Sequence, residues 1–415
     1  MSTDPNIVVG GGQAGARAAQ SMRQAGFVGP IIVVGDEIHL PYERPPLSKE
    51  FFLRGPDAGF KPVFTHDFYR EQNVELRRGV RVEAIDRHAQ RIVLEDGSNL
   101  PFNRLLLATG SRLRRLQLEG ANKPNVFYLR TIDDSVALAS MLSPGSRLMI
   151  VGGGFIGLEL AVAARHRGCN VVVIEAGPHI MGRVAPPVVA SFISDYHAAR
   201  GVTVKTGVYP TTMMGDAHVN AVTLSDGETL AVDIVVVGIG VIPRTELAEQ
   251  AGLAIDNGIS VDDFCVTSDP TILAAGDVAN QFNPIVRCHL RQESFQNAQE
   301  QGIIAGTAMA GGQPATRPSV PWAWSDQYDL NIQVAGMRLP DDEVVIRGDV
   351  ASGSFIAFSL DERRLRGAVT VNRGREMTLI NRLLLRGEPI DTAALSSESV
   401  SLREVLSLPS TMGTF

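Results

Sequence analysis

Cysteine is scarce in this chain. Its 415 residues include three, Cys169, Cys265 and Cys288, far apart and in no C-x-x-C pair. That excludes a disulfide scaffold and a structural zinc centre, and no metal site is expected. No apolar run is long enough to cross a bilayer, since the longest, near 230–242, is short and carries Asp233. Positive charge is the minority: 38 lysines and arginines against 45 acids leave a net charge of −7. A nucleic-acid or anionic-membrane partner for the whole molecule is therefore not expected. The opening MSTDP has no basic stretch and runs straight into an apolar strand, so no signal peptide and a cytoplasmic location are expected.

What the chain has in excess is glycine, 41 residues, and much of it serves one design used twice. NIVVGGGQAGARAAQSMRQAGF with PIIVVGDE (6–37) is the first copy, and RLMIVGGGFIGLELAVAARHRGCNVVVIEAG (147–177) the second. Each reads as strand, glycine turn, amphipathic helix and strand, the βαβ unit of a parallel sheet. In Gly10-x-Gly12-x-x-Gly15 the first glycine permits the turn and the second lets a pyrophosphate approach. The third allows close helix–strand packing, and Gln13 and Ala14 open a helix whose N–H groups face the phosphates. An acid about 20 residues on should take the adenosine ribose; Asp36 lies at 36 − 15 = 21. The second copy has Gly152, Gly154 and Gly157, then Phe155 and Ile156 opening the helix, and Glu175 at 175 − 157 = 18. One such fingerprint is weak, but two complete copies point to two bound dinucleotides. No arginine follows Glu175 at once to hold a 2′-phosphate, which favours NADH over NADPH, although Arg183 is close enough to keep the choice open. The first site is then assigned to FAD.

Between the copies and after them, 74–107 and 202–237 show short alternating strands with turns at Asp96-Gly97 and Asp226-Gly227. LLLATGS (105–111), with Thr109 and Gly110, reads as a strand leaving the flavin domain. TSDPTILAAGD (267–277) ends at Asp277, which can accept hydrogen bonds from ribityl hydroxyls or, equally, cap a helix. A helix starting near Glu293–Phe295 would aim its positive end at a flavin. A helix-rich piece is expected over 277–309, then a Gly/Pro-rich linker, GGQPATRPSVP (311–321). Antiparallel strands over 327–371 and a helix near 374–385 should follow.

Strung along nearly the whole chain are GGGQAG, PYERPPLSK, LLLATGS, IVGGGFIGLE, VVVGIGVIP, ILAAGD, RQESFQNAQ and WAWSDQY. This set resembles the FAD-containing, NADH-dependent ferredoxin reductases of bacterial oxygenase systems, relatives of glutathione reductase. Reductases of biphenyl-type aromatic-ring dioxygenases and of cytochrome P450 systems are the most similar branches. The resemblance implies an α/β fold with two Rossmann-like dinucleotide-binding domains plus an α+β C-terminal domain. The FAD domain would comprise 1–112 and 241–318, the NADH domain 113–240 and the C-terminal domain 319–415. It also implies FAD contacts from Ala14, Asp36, Arg44, Lys49, Val82, Arg130, Asp277 and Phe295, with Trp322 near the flavin. Glu159 would lie beside the nicotinamide and Gly238, Ile239 and Gly240 along the NADH. Ala323, between the two tryptophans, departs from the aromatic usual in the family, which puts local packing and partner fit in question.

The implied reaction is hydride transfer from NADH to FAD, then delivery of single electrons to a [2Fe–2S] ferredoxin. Disulfide reductases of the superfamily carry a cysteine pair beside the flavin; here the corresponding Pro45-Pro46-Leu47-Ser48 has no sulfur, so no thiolate relay operates. Lys49 reads on residues alone as a surface lysine; the resemblance makes it a tuning charge at the flavin edge, partnered by Glu159. No histidine is given a role. Seven arginines against one acid over 363–386 make a local +6, read either as a solvated face or as docking charge for an acidic ferredoxin. Alternatives on the same fold are a rubredoxin reductase, an NADH oxidase, or a redox-sensing binding protein like apoptosis-inducing factor. A monomer is the family expectation.

Overall fold

The computed structural model describes residues 4–55, 59–316 and 318–408. Arg317 of the expected linker and the last seven residues of the expected C-terminal domain lie outside them. Contacts divide the chain into two compact units. One comprises Met1–Arg44, Phe60–Arg112 and Val241–Ser319; the other comprises Pro45–Gly59, Leu113–Gly240 and Val320–Phe415.

In the first unit a five-stranded parallel sheet runs in the order Ile272–Ala274, Arg104–Leu107, Asn6–Val9, Ile31–Gly35, Val74–Arg78. The central strands are continuous apolar runs (NIVV, IIVVG) because helices and strands cover both faces of a parallel sheet. Helix Gln13–Gln24 packs along helix Phe295–Met309. Gly302 and Gly306 make that approach possible: a Cβ there would stand 2.5 Å from the Ala14 carbonyl oxygen and 2.3 Å from that of Ala18. A three-stranded antiparallel sheet, Val82–Asp86, Arg91–Leu94 and Asn99–Pro101, completes the motif.

The second unit repeats this plan. Its parallel sheet runs Val202–Thr206, Asn170–Glu175, Arg147–Val151, Ile234–Val237, Val126–Phe127, with its own three-stranded antiparallel sheet over Pro210–Met214, Ala221–Leu224 and Thr229–Ala231. A five-stranded antiparallel sheet follows in the order Trp322–Gln327, Leu330–Gly336, Arg364–Val371, Ser354–Asp361, Glu343–Asp349. Helix Met377–Arg386 packs on it through Met377, Ile380, Leu383 and Leu384.

One expectation is corrected. The piece after Asp277 is not helix-rich from its start, for Ala279–Asn283 and Cys288–Leu290 pair as an antiparallel hairpin before the helix begins. Arginine run 363–386 is largely consumed inside its own unit. Arg366 pairs with Asp342 and Asp361, Arg373 with Glu376 and Glu398, and Arg386 with Glu388, while Arg363 and Arg364 donate to backbone carbonyls of Ile390 and Gly387. All of these acids except Glu376 lie outside the arginine-rich window, so a local charge count could not see them. Arg375 and Arg382 are exposed. Among the described residues no helix is long and apolar enough to cross a membrane.

Candidate functional site

Two glycine cradles head the two parallel sheets. At Gly10 (φ +122°) a Cβ would stand 2.1 Å from the Ala108 carbonyl oxygen, and at Gly152 (φ +114°) 2.3 Å from that of Gly238. Only glycine fits either turn. Gly12 and Gly154 are the N-caps of Gln13–Gln24 and Phe155–His166; neither caps with a side chain, and nothing lies within 4 Å of where their Cβ would be. Open helix N-termini with uncapped N–H groups suit a pyrophosphate. In the first cradle both amide atoms of Gln13 and the Nε of Arg17 are enclosed yet lack hydrogen-bond partners among the described residues. Polar atoms left so are the mark of a ligand position, and the first cradle fits a dinucleotide.

The acids at the strand ends are held differently. Asp36 meets Arg244 at 2.9 Å, and Arg244 is braced because Thr109 donates to its carbonyl and its own N–H donates to Gly110. Glu175 accepts from the backbone N–H groups of Gly153 (2.8 Å) and Gly177 (2.7 Å). Arg183 is exposed. Gly238, Ile239 and Gly240 follow strand Ile234–Val237, with the Gly238 N–H donating to Val151.

Other candidates in the first unit are dispersed around its sheet. Ala14 and Gly15 are buried in the opening helix turn. Arg44 donates to Glu37 at 2.6 Å and lies over the Tyr42 ring. Val82 is packed in the core with Ile85, Ile92 and Leu94. Asp277 accepts from Ser111 at 2.9 Å rather than capping a helix of its own. Glu293 pairs with Arg291 at 2.6 Å, and Phe295 is the first residue of its helix, capped by Ser294. Lys49, Arg130 and Trp322 lie on the second unit. Arg130 adjoins Thr131, whose side chain caps helix Ile132–Met141 in a capping box with Asp134.

That second unit also holds a polar cluster that the sequence motifs only half disclosed. The 3₁₀ turn Pro45–Ser48 carries Ser48 and Lys49 to the buried face of helix Phe155–His166. Glu159, 6% exposed, receives Ser48 Oγ on Oε2 at 2.5 Å, Ser325 Oγ on Oε1 at 2.7 Å and Lys49 Nζ at 3.2 Å. Lys49 is shared with Asp326 at 2.9 Å and lies 5.5 Å over the Trp324 ring, which stacks on Trp322 at 5.0 Å. Burial pushes the Glu159 carboxyl above the usual range, opposed by Lys49, Ser48 and Ser325. Asp326 is also lifted by burial, but Lys49 and Asn331 outweigh that and hold it below the ordinary carboxylate range. Lys49 and Glu159 are thus brought together as a pair. Ser48, Ser325, Asp326, Gln327 and His197 were missed. The first four lay in plain view inside PPLSK and WSDQ, but His197 had no motif around it.

A fold with two dinucleotide cradles and a lysine paired to a buried carboxylate defines a pyridine-nucleotide oxidoreductase. The chain belongs to the pyridine nucleotide-disulphide oxidoreductase family, whose model matches residues 5–302, and a reductase C-terminal model matches 322–406. It is 41% identical over 409 residues to the ferredoxin–NAD(+) reductase component of the anthranilate 1,2-dioxygenase system of Burkholderia cepacia, covering 98% of this chain and 100% of that one. It is 37% identical over 413 residues to putidaredoxin reductase of Pseudomonas putida, covering 98% of each. The reductase in the crystal structure of the covalent putidaredoxin reductase–putidaredoxin complex superposes with a TM-score of 0.94 at 35% identity, over 98% of this chain and 99% of that one.

Proposed function

We propose that this chain is an NADH-dependent, FAD-containing ferredoxin reductase that supplies electrons to an oxygenase through a [2Fe–2S] ferredoxin. The observation that carries the reading is the Lys49–Glu159 pair beside a turn, Pro45–Ser48, that has no cysteine. Relatives of oxygenase-system reductases at 41% and 37% identity over nearly full length support the partner class.

The first unit's cradle, with Gln13, Asp36, Arg44 and Asp277, would hold FAD, and the family resemblance adds Lys49, Arg130 and Trp322 as residues for it. The chemistry FAD supplies when bound is acceptance of a hydride and release of electrons one at a time. Gly152, Gly154, Gly157 and Glu175 would seat NADH in the second unit's cradle. There the Glu175 carboxylate, fixed by two backbone N–H groups, repels a 2′-phosphate and favours NADH. Lys49 presents a fixed ammonium, and Glu159 keeps it in place. Trp324, stacked on Trp322, covers one side of that ammonium. With no thiol in the turn, electrons leave without passing through sulfur. On this reading FAD goes with 1–112 and 241–318, NADH with 113–240, and 319–415 is the C-terminal domain, although Pro45–Gly59 groups by contacts with the second unit. All three cysteines are free thiols, which accords with a cytoplasmic, reducing location.

Anaerobic rapid mixing of the yellow protein with NADH or NADPH, then with a panel of [2Fe–2S] ferredoxins, tests this. Rapid bleaching by NADH and fast reoxidation by a ferredoxin are expected. Bleaching followed by slow reoxidation with every ferredoxin would replace the reading with an oxidase or a redox sensor.

A further inference from the structure

Glu159 stands at the end of a longer chain of contacts. Ser325 Oγ, which meets Glu159 Oε1, is 3.1 Å from Gln327 Nε2, and Gln327 Oε1 is 2.9 Å from His197 Nε2. All four groups are buried: Ser325, Gln327 and His197 are each 0% exposed. They come from three separate elements, helix Phe155–His166, helix Pro187–Ala198 and strand Trp322–Gln327.

The donors and acceptors in this chain admit one direction when Glu159 is ionised. A carboxylate only accepts, so Ser325 must give its single proton to Glu159. Its oxygen is then left to accept from Gln327, which must therefore present Nε2 to Ser325 and Oε1 to His197. An amide oxygen only accepts, so His197 carries its proton on Nε2. Nδ1 is then a bare lone pair, and it has no hydrogen-bond partner among the described residues. Doubly protonated His197 would place an N–H there with nothing to receive it. Burial also holds the imidazole below its usual range, only partly opposed by Gln327, and Arg200 lowers it further. Protonating Glu159 on Oε1 would permit the reverse order, with the Gln327 amide turned over and His197 protonated on Nδ1. The relay therefore has two discrete arrangements, tied to the charge on Glu159.

We propose that His197, Gln327, Ser325 and Ser48 form a one-way donor relay that holds Glu159 as a carboxylate against Lys49. They are positioning residues for NADH oxidation, a role that rests on the reductase reading above. The charged and titratable groups facing the relay are few. Lys49 faces Glu159 directly, with Asp326 behind it. Arg200 faces His197, and Tyr328, whose ring packs on His197 at 5.3 Å, is itself faced by Arg165, Arg200 and His166. The ion pairs of Lys49 are with Glu159 and Asp326. A protonated Glu159 would leave Asp326 as the charged partner of Lys49.

The test uses full-length, FAD-loaded protein and the variants Ser48→Ala, Ser325→Ala, His197→Leu and His197→Gln. In the wild type, nitrogen NMR should show the His197 proton on Nε2 and no titration through the neutral range. The carbonyl stretch of a protonated Glu159, identified by its loss in Glu159→Gln, should be absent at neutral pH. Each serine variant should raise the pH at which that stretch appears by about one to two units, the worth of one hydrogen bond to a charge. The acid limb of flavin reduction by NADH should move with it. His197→Leu should give a smaller upward shift, and His197→Gln, which keeps a donor near the Nε2 position, should restore it. A His197 proton on Nδ1, or a Glu159 band unmoved in both serine variants, would overturn the relay. Should one serine variant fail to fold, the other and the His197 pair still decide. If NADH fails to reduce the wild type at any pH, the reductase reading falls, while the NMR and infrared outcomes judge the relay independently.

Discussion

The two glycine cradles share a backbone plan and differ two residues past the third glycine. In the first, 15 + 2 is Arg17; in the second, 157 + 2 is Glu159. Arg17 lies half-buried over the Phe64 ring, with Cζ 4.9 Å from its centroid, and donates to Gln20. Glu159 is sunk among two serine hydroxyls and a lysine. The ribose acids differ too: Asp36 is paired with an arginine and half-exposed, whereas Glu175 is pinned by backbone N–H groups. The duplicated βαβ unit thus sets where a dinucleotide can bind, and the charge at this one helix position separates the two roles. The cation in the first cradle keeps its Nε without a hydrogen-bond partner among the described residues. The anion in the second pairs with Lys49.

The largest effects should come from the turns themselves. Gly10→Ala and Gly152→Ala each add a Cβ that overlaps a carbonyl oxygen in a left-handed backbone, a cost of about 2–5 kcal/mol. Gly10→Ala should purify without the flavin's yellow absorbance, while Gly152→Ala should stay yellow and resist reduction by NADH. If both lost colour, the cradles would not have separate ligands.

Lys49→Met should slow flavin reduction by NADH on the order of a hundredfold, measured by stopped flow. Its melting temperature should change far less, because Glu159, already raised by burial, takes a proton rather than stand unpaired. An unchanged reduction rate would remove Lys49 from the mechanism.

Glu159→Gln sharpens the contrast through pH. A carboxyl raised in the folded state contributes stability that is complete below its unfolded pKa and is lost as pH rises through the folded one. Removing it should therefore raise the melting temperature relative to the wild type more at mildly alkaline than at mildly acidic pH. The opposite trend would mean that Lys49 and the hydroxyls outweigh burial.

The smallest effects separate the ribose acids. Glu175→Ala should cut the preference for NADH over NADPH by about tenfold, since a part-buried charge fixed by two hydrogen bonds is lost. Arg244→Gln breaks only a half-exposed pair worth less than about 1 kcal/mol. Its effect on FAD affinity should stay within about fivefold, read by equilibrium dialysis.

Much of the fold was legible because its signals are local. Glycine spacing, apolar strands and the acids after them all fall within one βαβ unit. The hairpin Ala279–Asn283 with Cys288–Leu290 was missed because its strands are short and their pairing is not periodic. The pairing of the arginine-rich stretch was not legible for a different reason. Asp342 and Glu398, which neutralise part of it, lie outside the window in sequence and beside it in space.

By itself the sequence determined that the chain carries two glycine cradles, a lysine on a proline-stiffened turn without sulfur, and an acid in GFIGLE. Each follows from residues close together, where backbone sterics and spacing suffice. Only the tertiary structure decided what surrounds that acid. Ser48 lies 111 residues before Glu159 and Ser325 166 after it, and His197 reaches the same site through Gln327 130 residues on. Whether a buried carboxyl is ionised depends on the donors packed around it, and those donors meet only when distant segments fold onto one helix face.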